Sequence, residues 1–312
     1  MKLRRLAAAT VGVAGAAALG NRALRAKADE LDPALPGQTG TFRWRGFDVS
    51  YAEGGDPEDQ DLLLLHGVHA TATNKEFDRV FDRLAETYHV VAPDLPGFGL
   101  SDRPPLLYSA SLYRSFVTDF ARDVTDDAIC MASSLSGAYA AAAQADAAPF
   151  SRLVLVAPVG DTGPKRAWLR TLFRTPVVGT ALFNGMASKP AIWYFSDRES
   201  VVDTATITAE DVDYYWRTAH QQGVRFAPAS FVSGYLDVER DLGDLLADVD
   251  VPVTLVWGRE SPFPPLSAGR ELARYADVRL VVIDEAKLLP HHEHPDVFID
   301  ALADELPAVV GE

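Results

Sequence analysis

Cysteine and lysine are both scarce in this chain. The single cysteine, Cys130, lies in an apolar run and is predicted to be a small core residue, so the chain has no internal disulfide and no cysteine metal site. Basic residues number 29 against 44 acidic ones, and the sequence pI is about 4.9. No basic stripe is available to neutralise phosphates, which argues against nucleic acid as a partner. An acidic chain with so few lysines favours a protein from a high-salt cytoplasm, with an ordinary acidic protein as the alternative.

A long hydrophobic run is also missing. The uncharged stretch from Leu6 to Gly20 would form a helix of about 22 Å, shorter than the roughly 30 Å hydrocarbon core of a bilayer. Basic residues flank it on both sides, so we predict a signal-like or membrane-associated helix over residues 1–28, with a cytoplasmic protein as the alternative. Residues 29–40 are predicted to be a linker, and residues 41–308 a single catalytic domain.

Motifs for nucleotide or metal cofactors are absent as well. The chain has no Walker-type loop, no dinucleotide fingerprint after its first strand and no spaced set of metal ligands, so no cofactor is predicted. The run His291-His292-Glu293-His294 is dense in potential metal ligands, but its residues are interpreted as capping or packing the helix that follows, with a catalytic role for one histidine, His291 first, as the alternative.

A serine between small residues is the clearest chemical motif. Ala132-Ser133-Ser134-Leu135-Ser136-Gly137 approximates the G-x-S-x-G nucleophile elbow, in which a strand turns sharply into a helix and the serine lies at the strained tip. Residues 127–131 fit a buried strand, and residues 137–143 fit a closely packed helix. Ala132 and Ser136 replace the two glycines, which leaves the turn possible but more crowded.

Two further segments strengthen this interpretation. Residues 62–68 form a buried apolar run through His66-Gly67, and residues 90–99 form a second apolar run that ends in a glycine-rich turn. In this order and spacing, the three segments resemble the α/β-hydrolase family from about residue 47 to residue 306. The resemblance implies a mostly parallel sheet of eight strands flanked by helices, with Ser134 as nucleophile and with the backbone N–H groups of Val68 and Leu135 as the oxyanion hole.

The chain departs from the family at the other two members of the catalytic triad. The acid is expected three residues after Gly258, where this chain has Ser261, and the histidine is expected where it has Leu288. A serine cannot carry the charge that orients and stabilises an imidazolium. We predict Glu260 or Asp161 as a substitute acid.

The substitute base is predicted to be His291, three residues beyond Leu288. His69 and His220 are the alternatives, while His66 and His89 are interpreted as structural. Proton transfer needs short distances, so an imidazole is expected within about 6 Å of the Ser134 hydroxyl.

About 95 residues separate the strand that ends at Val156 from the one that begins at Val253. The resemblance implies that this insertion forms a helical cap at about residues 162–240, and its many aromatic residues favour an apolar ligand. The strand ends are expected to meet at one rim of the sheet. The predicted function is a serine hydrolase for a hydrophobic ester or acyl substrate, with a non-catalytic protein that binds a small apolar ligand as the alternative. The sequence predicts no oligomeric state.

Overall fold

An eight-stranded sheet forms the centre of the molecule. The computed structural model describes residues 2–306, with side chains from residue 15 onward. The strands are β1 (Gln38–Trp44), β2 (Phe47–Gly54), β3 (Asp61–Leu65), β4 (His89–Pro93), β5 (Ala128–Ser133), β6 (Phe150–Val156), β7 (Val253–Gly258) and β8 (Arg279–Ile283). Their spatial order is β1-β2-β4-β3-β5-β6-β7-β8. The pairs β1-β2 and β2-β4 are antiparallel and all later pairs are parallel, which confirms the predicted sheet.

The first strand begins earlier than the sequence predicted. The domain was expected to begin at residue 41, after the linker, but Gln38 already pairs with Glu53 and Gly40 pairs with Tyr51. The end of the predicted linker is therefore part of the sheet, because its backbone groups find partners along β2.

Helices connect the strands and cover both faces of the sheet. They are α1 (Lys2–Ala28), α2 (Phe81–Leu84), α3 (Ala110–Val124), α4 (Leu135–Ala147), α5 (Ala167–Arg174), α6 (Val178–Met186), α7 (Lys189–Phe195), α8 (Ala209–Thr218), α9 (Phe226–Phe231), α10 (Leu242–Ala247), α11 (Leu266–Ala276), α12 (Pro290–Glu293) and α13 (Pro295–Ala301). Short 3₁₀ turns occur at Asn74–Phe77 and Thr204–Thr206, and a π-helical turn occurs at Ser196–Ser200.

Two apolar cores lie on opposite faces of the sheet. Along β3, Leu63 and Leu65 join the core beneath α3 and α4, whereas Leu62 and Leu64 join the core that includes Phe298 of α13. This division follows from the alternation of side chains along a strand. Because β3 is covered on both faces, its sequence is a continuous leucine run, as expected for a central parallel strand.

The insertion between β6 and β7 carries α5 to α9 and lies over the carboxyl ends of the strands. Helix α1 packs against α6 and α8 of this cap. Its last residue, Ala28, is fully buried in an apolar cluster with Ile192, Val212 and Trp216. Within residues 2–306, no helix combines the length and the apolar character needed to cross a bilayer.

Candidate active site

Ser134 lies at the tip of a strained turn between β5 and α4. Its backbone angles are φ 53° and ψ −127°, an unfavourable region for a residue with a Cβ. The turn is held by a hydrogen bond from the Ser134 N–H to the Val156 carbonyl at 2.9 Å. The Ser136 hydroxyl donates to the His66 carbonyl at 2.6 Å, so the small residue that replaces glycine here ties the elbow to the loop after β3. This geometry is that of a nucleophile elbow.

The loop after β3 places Val68 beside the elbow. Val68 lines the same cavity as Ser134, and within residues 2–306 its N–H donates to no backbone carbonyl. The loop is held from below by His66, whose Nε2 accepts from the Leu95 N–H at 3.0 Å and whose Nδ1 lies 2.7 Å from the Gly67 carbonyl. His66 is therefore fully engaged in supporting this loop. Leu135, the other predicted oxyanion residue, is the first residue of α4.

A cavity of about 350 Å³ lies above Ser134. It is lined by residues that follow β3, β5, β6, β7 and β8, so the strand ends meet at one rim of the sheet. The cap contributes six apolar side chains to the lining, namely Met186, Ile192, Phe195, Ile207, Phe231 and Val232. Such a lining suits an apolar ligand.

Leu288 lines this cavity together with its neighbour Leu289. The position at which the family resemblance implies a catalytic histidine thus presents an aliphatic side chain to the cavity that Ser134 also lines. Ser261, at the position of the expected acid, is buried, and its hydroxyl has no hydrogen-bond partner within residues 2–306.

His291 lies behind the cavity wall and is not one of the lining residues. The ring is completely buried and packs against Phe77 and Phe298, with ring centroids 5.3 and 5.5 Å away. Its Nε2 lies 3.4 Å from Oε1 of Glu76, which is longer than a normal hydrogen bond but close enough for an electrostatic contact. Any effect of His291 on the cavity therefore passes through Glu76.

The two predicted acids are engaged elsewhere. Asp161 is exposed, and its Oδ1 accepts from the Gly163 N–H at 2.7 Å. Glu260 is also exposed, and its Oε2 accepts from the Ala286 N–H at 3.1 Å. Neither residue lines the cavity.

The two alternative histidines differ in their access to the cavity. His220 stacks on Trp216 at 4.3 Å and lies outside the lining, whereas the His69 side chain lines the cavity and is accessible from it. Desolvation by the surrounding protein lowers the pKa of His69 to about 4, so its ring is neutral at pH 7. His69 Nδ1 accepts from the Thr71 N–H at 3.3 Å, which places the proton of the neutral ring on Nε2.

Glu76 is a site residue that the sequence interpretation did not identify. Its side chain is buried, lines the cavity floor and accepts from the Gly67 N–H at 2.8 Å. Burial works against the charged form of this carboxyl. The His291 ring, the Gly67 N–H and the Ser133 hydroxyl outweigh burial and lower the pKa of Glu76 to about 2.

Glu76 and Ser134 line the same part of the cavity, on either side of Gly67. The point at which a Cβ would lie on Gly67 is 3.2 Å from Oε2 of Glu76 and 3.5 Å from Cβ of Ser134. The site therefore contains a buried carboxylate, with an imidazole on its far side, next to the serine. No sequence signal marks Glu76, because its partner Gly67 lies nine residues earlier in another loop.

Comparisons with known proteins agree with this architecture. The sequence model of the alpha/beta hydrolase family matches residues 62–301. A 2-hydroxy-6-oxononadienedioate/2-hydroxy-6-oxononatrienedioate hydrolase of Klebsiella pneumoniae is 26% identical over 250 residues, which cover 77% of this chain and 84% of that protein.

Solved structures show the same fold at lower identity. A serine hydrolase involved in carbazole degradation superimposes with a TM-score of 0.72 at 18% identity, over 86% of this chain and 98% of that one. The naproxen esterase of Bacillus subtilis has a TM-score of 0.67 at 16% identity, over 88% and 93% of the two chains. The fold, the family match and the hydrolase relatives support an enzyme of this type, and the chain belongs to the alpha/beta hydrolase family.

Proposed function

We propose that this protein is a serine hydrolase that cleaves a hydrophobic carboxylic ester or a related acyl substrate through Ser134. The observation that carries the proposal is the strained conformation of Ser134 at the floor of an apolar cavity. A non-glycine residue at φ 53° costs free energy, and such strain is typical of functional sites. The N–H groups of Val68 and Leu135 stabilise the oxyanion that forms when the serine attacks.

The charges around the cavity narrow the choice of substrate. Its titratable residues include Glu76 and Glu199, and no lysine or arginine of the described chain lines it. A dicarboxylate, such as the substrate named for the Klebsiella relative, would find no cation here and would be repelled by Glu76. A neutral ester with an apolar acyl or alkyl group, the class of substrate named for the esterase neighbour, fits the lining better.

The proton of Ser134 needs an acceptor. The neutral tautomer of His69 has its proton on Nε2, so this ring is suited to donate to a substrate oxygen rather than to accept. Glu76 is ionised at neutral pH and lies beside the serine, and we assign it as the acceptor, directly or through one water. His291 acts from behind by facing the carboxylate, and Glu260 and Asp161 take no part.

A carboxylate with a pKa of about 2 is a weak base. We therefore expect slow hydrolysis, faster than in water because the oxyanion hole and substrate binding still contribute.

Hydrolysis of p-nitrophenyl butyrate and octanoate by purified protein tests the proposal. Ser134→Ala is expected to abolish turnover, and Glu76→Gln to reduce it at least about tenfold. The matched control is Ser267→Ala, which removes an exposed hydroxyl on α11 and should leave the rate unchanged. A fluorophosphonate probe should label the wild type and the control but not Ser134→Ala. Equal turnover by the wild type and Ser134→Ala would refute catalysis at this site.

One observation favours a second candidate function. Leu288 and Leu289 close the cavity with aliphatic side chains where a catalytic imidazole would be expected, as in a protein that retains an apolar pocket without turnover. In that case Ser134 would resist the fluorophosphonate, while a neutral fluorescent fatty-acid ester would bind to the cavity and be displaced by unlabelled octanoate esters, with both esters staying intact.

A further inference from the structure

Positive charge is concentrated in two segments of this acidic chain. Residues 1–28 and 162–196 together contain 11 lysines and arginines and no acidic residue, whereas the rest of the chain contains 18 basic and 44 acidic residues. The first segment forms α1, and the second carries α5, α6 and α7. Helix α6 packs against both α1 and α5, so the two segments form one continuous surface. We call the surface formed by residues 15–28 and 162–196 the basic apolar face.

The same face exposes large apolar side chains. Of the 13 large hydrophobic residues that are exposed in the described chain, seven belong to it: Leu19, Trp168, Val178, Leu182, Trp193, Tyr194 and Phe195. Val178 and Leu182 are four residues apart on α6 and therefore lie on the same side of that helix. Helix α5 has no buried residue at all. A combined apolar and basic surface of this kind needs a partner or an interface to cover it.

The charges on this face are available to a partner. Arg22, Arg25, Lys27, Lys165 and Arg166 are exposed, and none of them has an ion-pair partner within residues 2–306. The exception on the face is Lys189, which pairs with Asp213. Basic residues elsewhere are more often neutralised locally, as Arg83 is by Asp296 and Asp300.

The cavity opens next to this face. Phe195 belongs to both the face and the cavity lining, and it is 45% exposed. Phe263, which follows β7 and also lines the cavity, is 52% exposed. These two rings mark the mouth, and a partner that covers the face would lie against the opening of the cavity.

We propose that the basic apolar face docks this protein on the surface of a membrane that contains anionic phospholipids. Lysine and arginine side chains would pair with the lipid phosphates, while the tryptophan and tyrosine rings occupy the interfacial layer, which is the region they prefer. Acidic residues adjoin both segments, with Asp29, Asp161 and Asp197 at their ends, but the 11 basic residues of the segments outnumber them. Acidic residues farther than roughly 8–10 Å are screened at physiological ionic strength. The helices lie on the surface and do not span the bilayer.

The positive charge of the basic apolar face would also suit an acidic protein or an RNA, but its exposed apolar residues favour a lipid surface. Seven large hydrophobic side chains within one face would add little to an RNA backbone contact, whereas each can bury itself among acyl chains. The docking is independent of catalysis and is tested without any substrate.

The chain provides its own reporters for a vesicle-binding experiment. It has five tryptophans, of which Trp44, Trp216 and Trp257 are buried, while Trp168 and Trp193 are exposed on the face. Vesicles of equal parts phosphatidylcholine and phosphatidylglycerol should shift the fluorescence of the full-length protein to shorter wavelength. Pure phosphatidylcholine vesicles should do so weakly. The variant Trp168→Phe/Trp193→Phe should still sediment with the anionic vesicles but lose the shift.

Charge reversal tests the electrostatic part. The Lys165→Glu/Arg166→Glu variant should bind the anionic vesicles about 20-fold more weakly or worse, since each basic residue near the surface contributes about fivefold. The matched control, Arg270→Glu/Arg274→Glu, makes the same change in net charge at two exposed arginines on α11 and should bind like the wild type. Both variants are compared by circular dichroism, so that a loss of fold is recognised.

Three results would overturn the proposal. The first is equal binding to neutral and anionic vesicles at low salt, and the second is an equal loss in both charge-reversal variants. The third is binding to RNA or to an acidic polypeptide that persists when the vesicles give no fluorescence shift.

Discussion

The charged form of Glu76 is expected to stabilise the folded protein in a pH-dependent way. In the folded state its pKa is lowered from 4.5 to about 2 by the His291 ring, the Gly67 N–H and the Ser133 hydroxyl, against the opposing effect of burial. A carboxyl with a lowered pKa contributes stability that is complete above its unfolded pKa and is lost as the pH falls through its folded pKa. At 1.36 kcal/mol per unit, the contribution at pH 7 is about 3 kcal/mol.

The Glu76→Gln variant keeps the shape of the side chain and removes the charge. We expect its free energy of unfolding to be lower than that of the wild type by about 3 kcal/mol between pH 7 and pH 5, because Glu76 is ionised in both states over that range. This difference in the free energy of unfolding should decrease to about 1.4 kcal/mol at pH 3, because the Glu76 carboxyl is then protonated in the unfolded chain but still ionised in the folded protein.

Urea unfolding followed by tryptophan fluorescence at pH 7, 5, 4 and 3 measures this gap. Glu58→Gln, which changes an exposed glutamate in the loop after β2, is the control. Its free energy of unfolding should equal that of the wild type at every pH. If Glu76→Gln were destabilised equally at pH 7 and pH 3, the effect would be one of packing, and the assignment of Glu76 as a buried carboxylate would be refuted.

Four further variants test the site and the fold that supports it. Leu288→His combined with Ser261→Asp restores the residue types of the family triad and should raise the rate of ester hydrolysis about 100-fold or more over the wild type. Leu288→His alone should give a smaller increase. If the folded double variant hydrolysed esters no faster than the wild type, Ser134 would be shown not to act as a nucleophile. Gly258→Ala would place a Cβ 1.9 Å from the Lys287 carbonyl oxygen and should lower the free energy of unfolding by about 2 kcal/mol or more. At Gly185 a Cβ meets nothing within 4 Å, so Gly185→Ala on helix α6 should be neutral or stabilising in the same urea titration.

The sheet could be predicted because its strands have local signatures. The leucine run at residues 62–65 and the apolar run before Ser134 are each covered on both faces of the sheet. A strand that is buried on both faces consists almost entirely of apolar residues, so it can be predicted from its composition. The sharp turn at Ser134 was predictable for a similar reason, since such a turn requires small residues two positions before and two positions after the serine, here Ala132 and Ser136. The prediction that this fold would have eight mostly parallel strands is confirmed.

The electrostatics of the site could not be predicted in the same way. The position of Glu76 depends on the Gly67 N–H and on the His291 ring, which approach it from two distant parts of the chain. From the sequence, His291 was assigned to the cavity because it lies three residues after Leu288, but the short helix α12 turns its ring inward between Phe77 and Phe298. A spacing of three residues does not tell which side of such a turn faces the substrate.

The end of the N-terminal helix has a consequence for shortened forms of this protein. Ala28 fills a gap among cap residues, and the Arg217 guanidinium donates to the Ala28 carbonyl at 3.2 Å. Two turns earlier in the helix, the Asn21 side-chain amide donates to the Val177 carbonyl at 3.0 Å. A chain trimmed at residue 28 to remove the apolar segment would therefore also lose a packing partner of Ile192, which lines the cavity. A chain that starts just before Asn21 loses most of the apolar run but retains these contacts, and it is the better starting point for crystallisation and for ligand titrations.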